Sequence, residues 1–127
     1  ATPGQSNVLN HLQILLGLRD APSLYHRVEG LKALEQHADP WMQKLAANTA
    51  KGSPLSIALA HRHISRHRHS SLQQCFDADA RLAHQLVQNP EFIEGVRAVL
   101  IDKDQSPHWQ FASVQEVPES LVNRLLN

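Results

Sequence analysis

The stretch Ser71-Leu72-Gln73-Gln74-Cys75-Phe76-Asp77-Ala78-Asp79-Ala80-Arg81-Leu82-Ala83-His84-Gln85-Leu86-Val87-Gln88-Asn89-Pro90 decides the fold class. Leu72, Cys75, Phe76, Leu82, Ala83, Leu86 and Val87 recur at three- and four-residue spacing, which predicts a helix from Leu72 to Gln88 with one apolar face. Ser70-Ser71 caps its start. Asn89-Pro90 opens the next helix by placing a side-chain acceptor just before a proline at the first helical position.

The same punctuation extends outward in both directions. Downstream, Phe92, Ile93, Val96, Val99 and Leu100 form the apolar side of a helix. Asp102 to Pro107 reads as a polar turn, Trp109 and Phe111 as an extended stretch, and Glu119 to Leu126 as a short last helix. Upstream, Ser53-Pro54 starts a helix reaching about His69. It is apolar nearly all round from Leu55 to Ala60 and polar from Arg62 onward except at Ile64, so its N-terminal end is expected to be buried and its C-terminal end solvated. Asp39-Pro40 opens a helix from Trp41 to about Ala50, closed by Lys51-Gly52. Val28, Leu31 and Leu34 mark a short helix to about His37. Val8, Leu9, Leu12, Leu15 and Leu16 mark one from Asn7 to Leu18, ended by Gly17 and Asp20-Ala21-Pro22-Ser23. No segment alternates as a strand does. The expectation is an all-α chain of about six helices without a sheet, residues 1–127 forming a single helical domain or a fragment of one.

Composition narrows the function classes. Of the 127 residues, 42% are hydrophobic and only 5% aromatic, so the core is aliphatic. Twelve Lys+Arg balance twelve Asp+Glu, which gives no global pull toward nucleic acid or a membrane surface. Nine histidines make the net charge climb as pH falls through about 6.5. The one cysteine, Cys75, excludes an intrachain disulfide and suits a reducing compartment. No apolar run approaches the roughly 20 residues of a membrane span. Ala1-Thr2-Pro3-Gly4 does not resemble a signal peptide, and Ala1 in place of an initiator Met suggests a processed product or an engineered fragment.

Among candidate sites, the run from His61 to His69 stands out. His63 and His67 are four apart and share a helix face, but two ligands beside Arg62, Arg66 and Arg68 make a poor cation site, so no metal is expected. Arg62, Arg66 and His69 share another face and suit a phosphate; a merely solvated basic helix end is the simpler reading. Asp79 falls within the apolar face of its helix, where an unpaired carboxylate costs several kcal/mol. Arg97, flanking the apolar face of the next helix, is the expected partner, giving an interhelical Asp79–Arg97 pair. Trp41 and Trp109 read as packing residues, and Cys75 as a buried inert thiol. No glycine-rich phosphate loop and no Ser-His-Asp arrangement is present.

The segment from Glu94 to Trp109, Glu-Gly-Val-Arg-Ala-Val-Leu-Ile-Asp-Lys-Asp-Gln-Ser-Pro-His-Trp, resembles a motif near the C-terminus of the 3-hydroxyisobutyryl-CoA hydrolase branch of the enoyl-CoA hydratase/isomerase (crotonase) family. Pro90-Glu91-Phe92 resembles the acidic-Phe lead-in to that motif. Ser53-Pro54-Leu55-Ser56 resembles the family's helix start. Ser71 to Cys75 and Asp79 to Leu82 resemble two further stretches, with Gln74 and Asp79 in place of Glu. The likeness is strongest over residues 53–117, is only a pattern from Val28 to Lys51, and is faint before that.

The resemblance implies a helical C-terminal region whose parent carries a spiral of ββα units. Backbone N–H groups in that spiral would stabilise the thioester oxygen as charge develops. No catalytic residue carries over to this chain, and the spiral has no counterpart in it. The chain itself would need no cofactor, and its parent would take an acyl-CoA, such as a short 3-hydroxyacyl-CoA of valine breakdown, without a metal. Ser53, Pro54, Arg97, Asp102, Lys103 and Trp109 would dock the chain on the catalytic spiral, with self-association as a further option; neither membrane nor nucleic acid is an expected partner. The implied location is intracellular, in the bacterial cytoplasm or the mitochondrial matrix of a eukaryote. Two rival readings are a non-enzymatic interaction module that uses the His/Arg helix end, and a histidine-based metal-binding bundle.

Overall fold

A computed structural model describes residues 6–127; the reading of residues 1–4 lies outside them. The described residues are all-α, with no strand among them. Eight α-helices follow in order: α1 (Asn7–Asn10), α2 (Leu12–Arg19), α3 (Leu24–Ala33), α4 (Pro40–Ala50), α5 (Pro54–Arg66), α6 (Leu72–Val87), α7 (Pro90–Val96) and α8 (Glu119–Leu126). Short 3-10 turns occupy Leu34–Gln36 and Val114–Glu116, and a π turn occupies Arg97–Ile101. The chain groups into two compact units, Ala1–Gly52 and Ser53–Asn127.

The first unit is built on Leu34, Met42 and Ala46, with Leu18, Leu31, Trp41 and Leu45 packed around them. Its helices depart from expectation in two places. The first splits at His11, which leaves helical geometry (φ −116°, ψ 23°) while its ring stacks on Trp41 and its Nε2 meets Asp39 at 2.7 Å. Asp39 caps α4 by accepting the Trp41 N–H at 2.8 Å. That bond first, and His11 second, hold its carboxyl below the usual range. The third helix begins at Leu24, four residues before Val28, because Ser23 is itself an N-cap that accepts from the His26 N–H. Arg27 then donates to the Leu18 and Arg19 carbonyls at the end of α2, placing a cation where the helix dipole favours one.

The second unit buries Leu55, Ala58 and Leu59 of α5, Ala78 of α6, Ala98 of the π turn, Val117, and Val122 and Leu125 of α8. The buried N-terminal half of α5 matches the sequence reading; the helix ends at Arg66, earlier than His69, where His67 and Ser70 close a turn. Ser71 and Gln74 form a reciprocal capping box at the start of α6. Gln74 thus does the work of a Glu at that place, since the box needs only a side-chain acceptor. The apolar face of α6 is covered only in part. Leu72 is 71% exposed and Phe76 60%.

Candidate functional site

Asn89 caps α7 by accepting the Glu91 N–H at 2.9 Å, and Pro90 sits in its first turn. This start places Glu91 and Glu94 one turn apart on the same side. Glu91 is buried. One of its oxygens accepts the Ser53 hydroxyl at 2.5 Å, and the other accepts the Gln110 N–H at 2.5 Å. Glu94 accepts the His108 N–H at 2.9 Å. Two carboxylates on one helix therefore grip alternate backbone amides of the extended stretch after Pro107. Between them Gly95 leaves room for Trp109. A Cβ at Gly95 would lie 3.3 Å from the indole ring.

Arg97 is the second organiser. Its Nε and Nη2 form a fork on Glu94 at 2.9 and 2.7 Å, and its Nη1 reaches Asp102 and Asp104, each at 2.7 Å. Nη2 also donates to the Ser106 carbonyl. The fork, before the His108 N–H, pulls the Glu94 carboxyl down to about 2. Arg97 likewise lowers Asp104, with help from the Ser106 N–H, and is itself raised, by Glu94 first. The loop it holds carries two non-glycine residues in left-handed geometry, Lys103 and Gln105, both at φ 56°. Such backbone persists only where its surroundings over-determine it, and the Arg97 bonds on either side of Lys103 do that. Above Glu91 lies an apolar groove of about 380 Å³, lined by Ser53, Phe92, Val99, Leu100 and Trp109 among others.

The structure brings Ser53, Pro54, Arg97, Asp102 and Trp109 into this one unit. Ser53 and Pro54 are buried, Trp109 is half-buried, and Asp102 and Lys103 are exposed. The expected Asp79–Arg97 pair does not form. Asp79 is 62% exposed at its side chain and accepts from His63 Nε2 at 2.6 Å, while Arg97 is consumed by its own segment. The reason is the π turn, which folds the following loop back onto Arg97 and adds the carboxylates of Asp102 and Asp104 to that of Glu94 one turn earlier. At the other end of α5, Arg62 donates to Asn123 and Glu119, and Arg66 to Asn127. Both arginines thus tie α5 to the C-terminal residues, and His69 stays exposed without joining them. His63 and His67 do lie edge-on, 5.0 Å apart. Among the described residues, no three metal-ligating side chains converge.

Sequence reasoning missed Glu91 and Glu94 as organisers. The signal was available in two acidic residues at i and i+3 after an Asn-Pro start, facing a downstream proline-initiated extended stretch.

The comparisons with known proteins bear on this arrangement. A family model described as "Enoyl-CoA hydratase/isomerase" matches residues 2–126. The chain belongs to the enoyl-CoA hydratase/isomerase family. Within that family it is like the 3-hydroxyisobutyryl-CoA hydrolases. It is 36% identical to the mitochondrial 3-hydroxyisobutyryl-CoA hydrolase of Gallus gallus, over 89% of this chain and 29% of that protein. It is 39% identical to that of Danio rerio, over 84% of this chain and 27% of that protein. An enoyl-CoA hydratase from Rhodobacter sphaeroides superposes with a TM-score of 0.77 at 25% identity, covering 96% of this chain and 36% of that one. The chain thus spans less than a third of the length of these hydrolase relatives. No helix of the described residues is long and apolar enough to cross a membrane.

Proposed function

We propose that these residues are the helical portion of a longer polypeptide that hydrolyses a short 3-hydroxyacyl-CoA such as 3-hydroxyisobutyryl-CoA, and that they lie on its catalytic spiral. The observation that carries this reading is the outward exposure of large apolar residues on α6, α7 and the π turn of the second unit. Large apolar residues that a folded unit leaves exposed together mark a surface that meets another one. The hydrolase names of the relatives supply the reaction class. Their mitochondrial designation supports a matrix location in a eukaryote, and the bacterial cytoplasm is the corresponding place otherwise. The catalytic groups belong to the spiral, so the part played by Ser53, Glu91, Arg97 and Trp109 is to hold the shape of the docking face.

A thioesterase assay tests the proposal by following release of the CoA thiol from 3-hydroxyisobutyryl-CoA. The full encoded polypeptide should turn the thioester over, and the 127-residue chain should stay at background. Turnover by the 127 residues alone would contradict the assignment.

A further inference from the structure

We infer that His63 and His67 at the end of α5, with Cys75 and Asp79 in the first half of α6, form a binding site for one zinc ion that clasps the two helices together.

Two histidines among arginines hold a cation poorly, and the fold changes both conditions. α6 turns back beside the end of α5 in a register that sets residue 79 against residue 63 and residue 75 against residue 67. His63 Nε2 meets the Asp79 carboxylate at 2.6 Å, and the Cys75 thiol lies 4.0 Å from the His67 carbonyl oxygen. Each helix thus contributes two ligand-type side chains at i and i+4, the spacing that puts both on one face. The arginines are drawn off elsewhere. Arg62 donates to Asn123 and Glu119, and Arg66 to Asn127. Arg68 is exposed beyond the end of α5.

The donor set names the ion. Two imidazoles, a thiolate and a carboxylate are ligands that zinc takes in tetrahedral sites. The thiolate and the carboxylate together match its two positive charges. The rings of His63 and His67 lie 5.0 Å apart. His67 Nδ1 is 3.1 Å from the Ser70 hydroxyl. That hydroxyl can accept from Nδ1–H and leave the lone pair on Nε2, the arrangement that orients a metal-binding histidine. Cys75, expected to be buried, is half-exposed, so an ion from solvent can reach its sulfur.

As described, the four side chains stop short of one point, because His63 Nε2 sits directly on Asp79 and the thiol faces the His67 carbonyl. Tetrahedral zinc with bonds of about 2.0–2.1 Å holds two donors about 3.3 Å apart, so the 2.6 Å between His63 and Asp79 has to widen by roughly 0.7 Å. The thiol has to turn toward the His67 ring. Both are side-chain movements at the surface, where rotamers change readily.

The test adds cobalt(II), a spectroscopic stand-in for zinc, to the full encoded polypeptide after chelation and reduction. One ion per chain is expected at micromolar concentration, with tetrahedral absorption and a thiolate-to-cobalt charge-transfer band, both removed by zinc. His67→Gln and Asp79→Asn should each weaken binding by at least about tenfold. Cys75→Ser should abolish the charge-transfer band, and His69→Gln, outside the cluster, should change nothing. A second measurement needs no substitution: zinc should slow alkylation of Cys75 by iodoacetamide at least about tenfold, read by peptide mass spectrometry. Absence of bound metal at micromolar concentration would overturn the inference. So would a charge-transfer band that survives Cys75→Ser, equal losses in His69→Gln and His67→Gln, or an alkylation rate that zinc leaves unchanged.

Discussion

Replacing Ser53 by Ala removes one oxygen that serves two partners. The Ser53 hydroxyl donates to buried Glu91 and its oxygen accepts the Ser56 N–H at 3.2 Å as the N-cap of α5. Loss of a serine cap costs about 1 kcal/mol. Loss of a hydrogen bond to a charged group costs about 1.5–3 kcal/mol, and here it leaves a buried carboxylate oxygen one donor short. The two losses share an atom, so the expected destabilisation is about 2–4 kcal/mol. At a typical urea slope near 2 kcal/mol/M, the midpoint falls by about 1–2 M. In a Trp41→Phe background, the emission of Trp109 reports unfolding of the Ser53–Asn127 unit by itself. Glu91→Gln should be milder, because the Ser53 hydroxyl can turn to accept from an amide N–H while the amide oxygen keeps the Gln110 bond. A midpoint shift below about 0.3 M for Ser53→Ala, with unchanged slope, would refute the view that this bond ties α5 to α7.

Three further outcomes are expected. Gly17 lies inside α2 with open space around a would-be Cβ, so Gly17→Ala should raise the stability of the first unit by about 0.5–1 kcal/mol, read from Trp41 emission; a lower midpoint would show a contact the geometry lacks. The Glu94 carboxyl falls from an ordinary 4.5 to about 2, so its contribution is fully present above 4.5 and drains away as pH drops from there to about 2. Carboxyl-carbon NMR should show Glu94 still ionised at pH 3, and titration near 4.5 would disprove the Arg97 fork. Double-mutant cycles should find His63 and Asp79 coupled by up to about 1 kcal/mol, and Asp79 and Arg97 additive within about 0.5 kcal/mol; coupling in the second pair would restore the interhelical bridge.

The helices were legible because their ends are written in residues with a local mechanism. Asp39-Pro40, Ser53-Pro54, Ser71 and Asn89-Pro90 each cap a helix within a residue of expectation. Ser23 escaped because it follows a proline in a stretch that reads equally well as a terminator. The helix count came out higher than about six, partly because His11 breaks the first helix through a ring stack with Trp41, thirty residues away in sequence. Ser53, Arg97, Asp102 and Trp109 were nameable by resemblance, but their bonds were not. Arg97 looked available to Asp79 as long as α7 was imagined running straight on. Only the π turn brings Asp102 and Asp104 within reach, and no propensity scale marks a one-residue widening. The burial of Glu91 was likewise invisible, since a helix-start glutamate normally faces solvent.

The ties between α5 and the chain's last residues have a kinetic side. Arg62 meets Asn123 and Arg66 meets Asn127, each across 61 positions, and α8 packs against both α5 and α6. In the first unit, by contrast, α2 meets α3 and α3 meets α4, its immediate successors. Contacts between neighbours in sequence form fast, whereas distant ones wait for loop closure. On the ribosome the first unit can therefore close soon after Gly52 emerges. The second must hold Leu55 and Leu59 without their final cover until Val122 and Leu125 are made, so the last helix sets the pace at which this half of the chain becomes safe from aggregation.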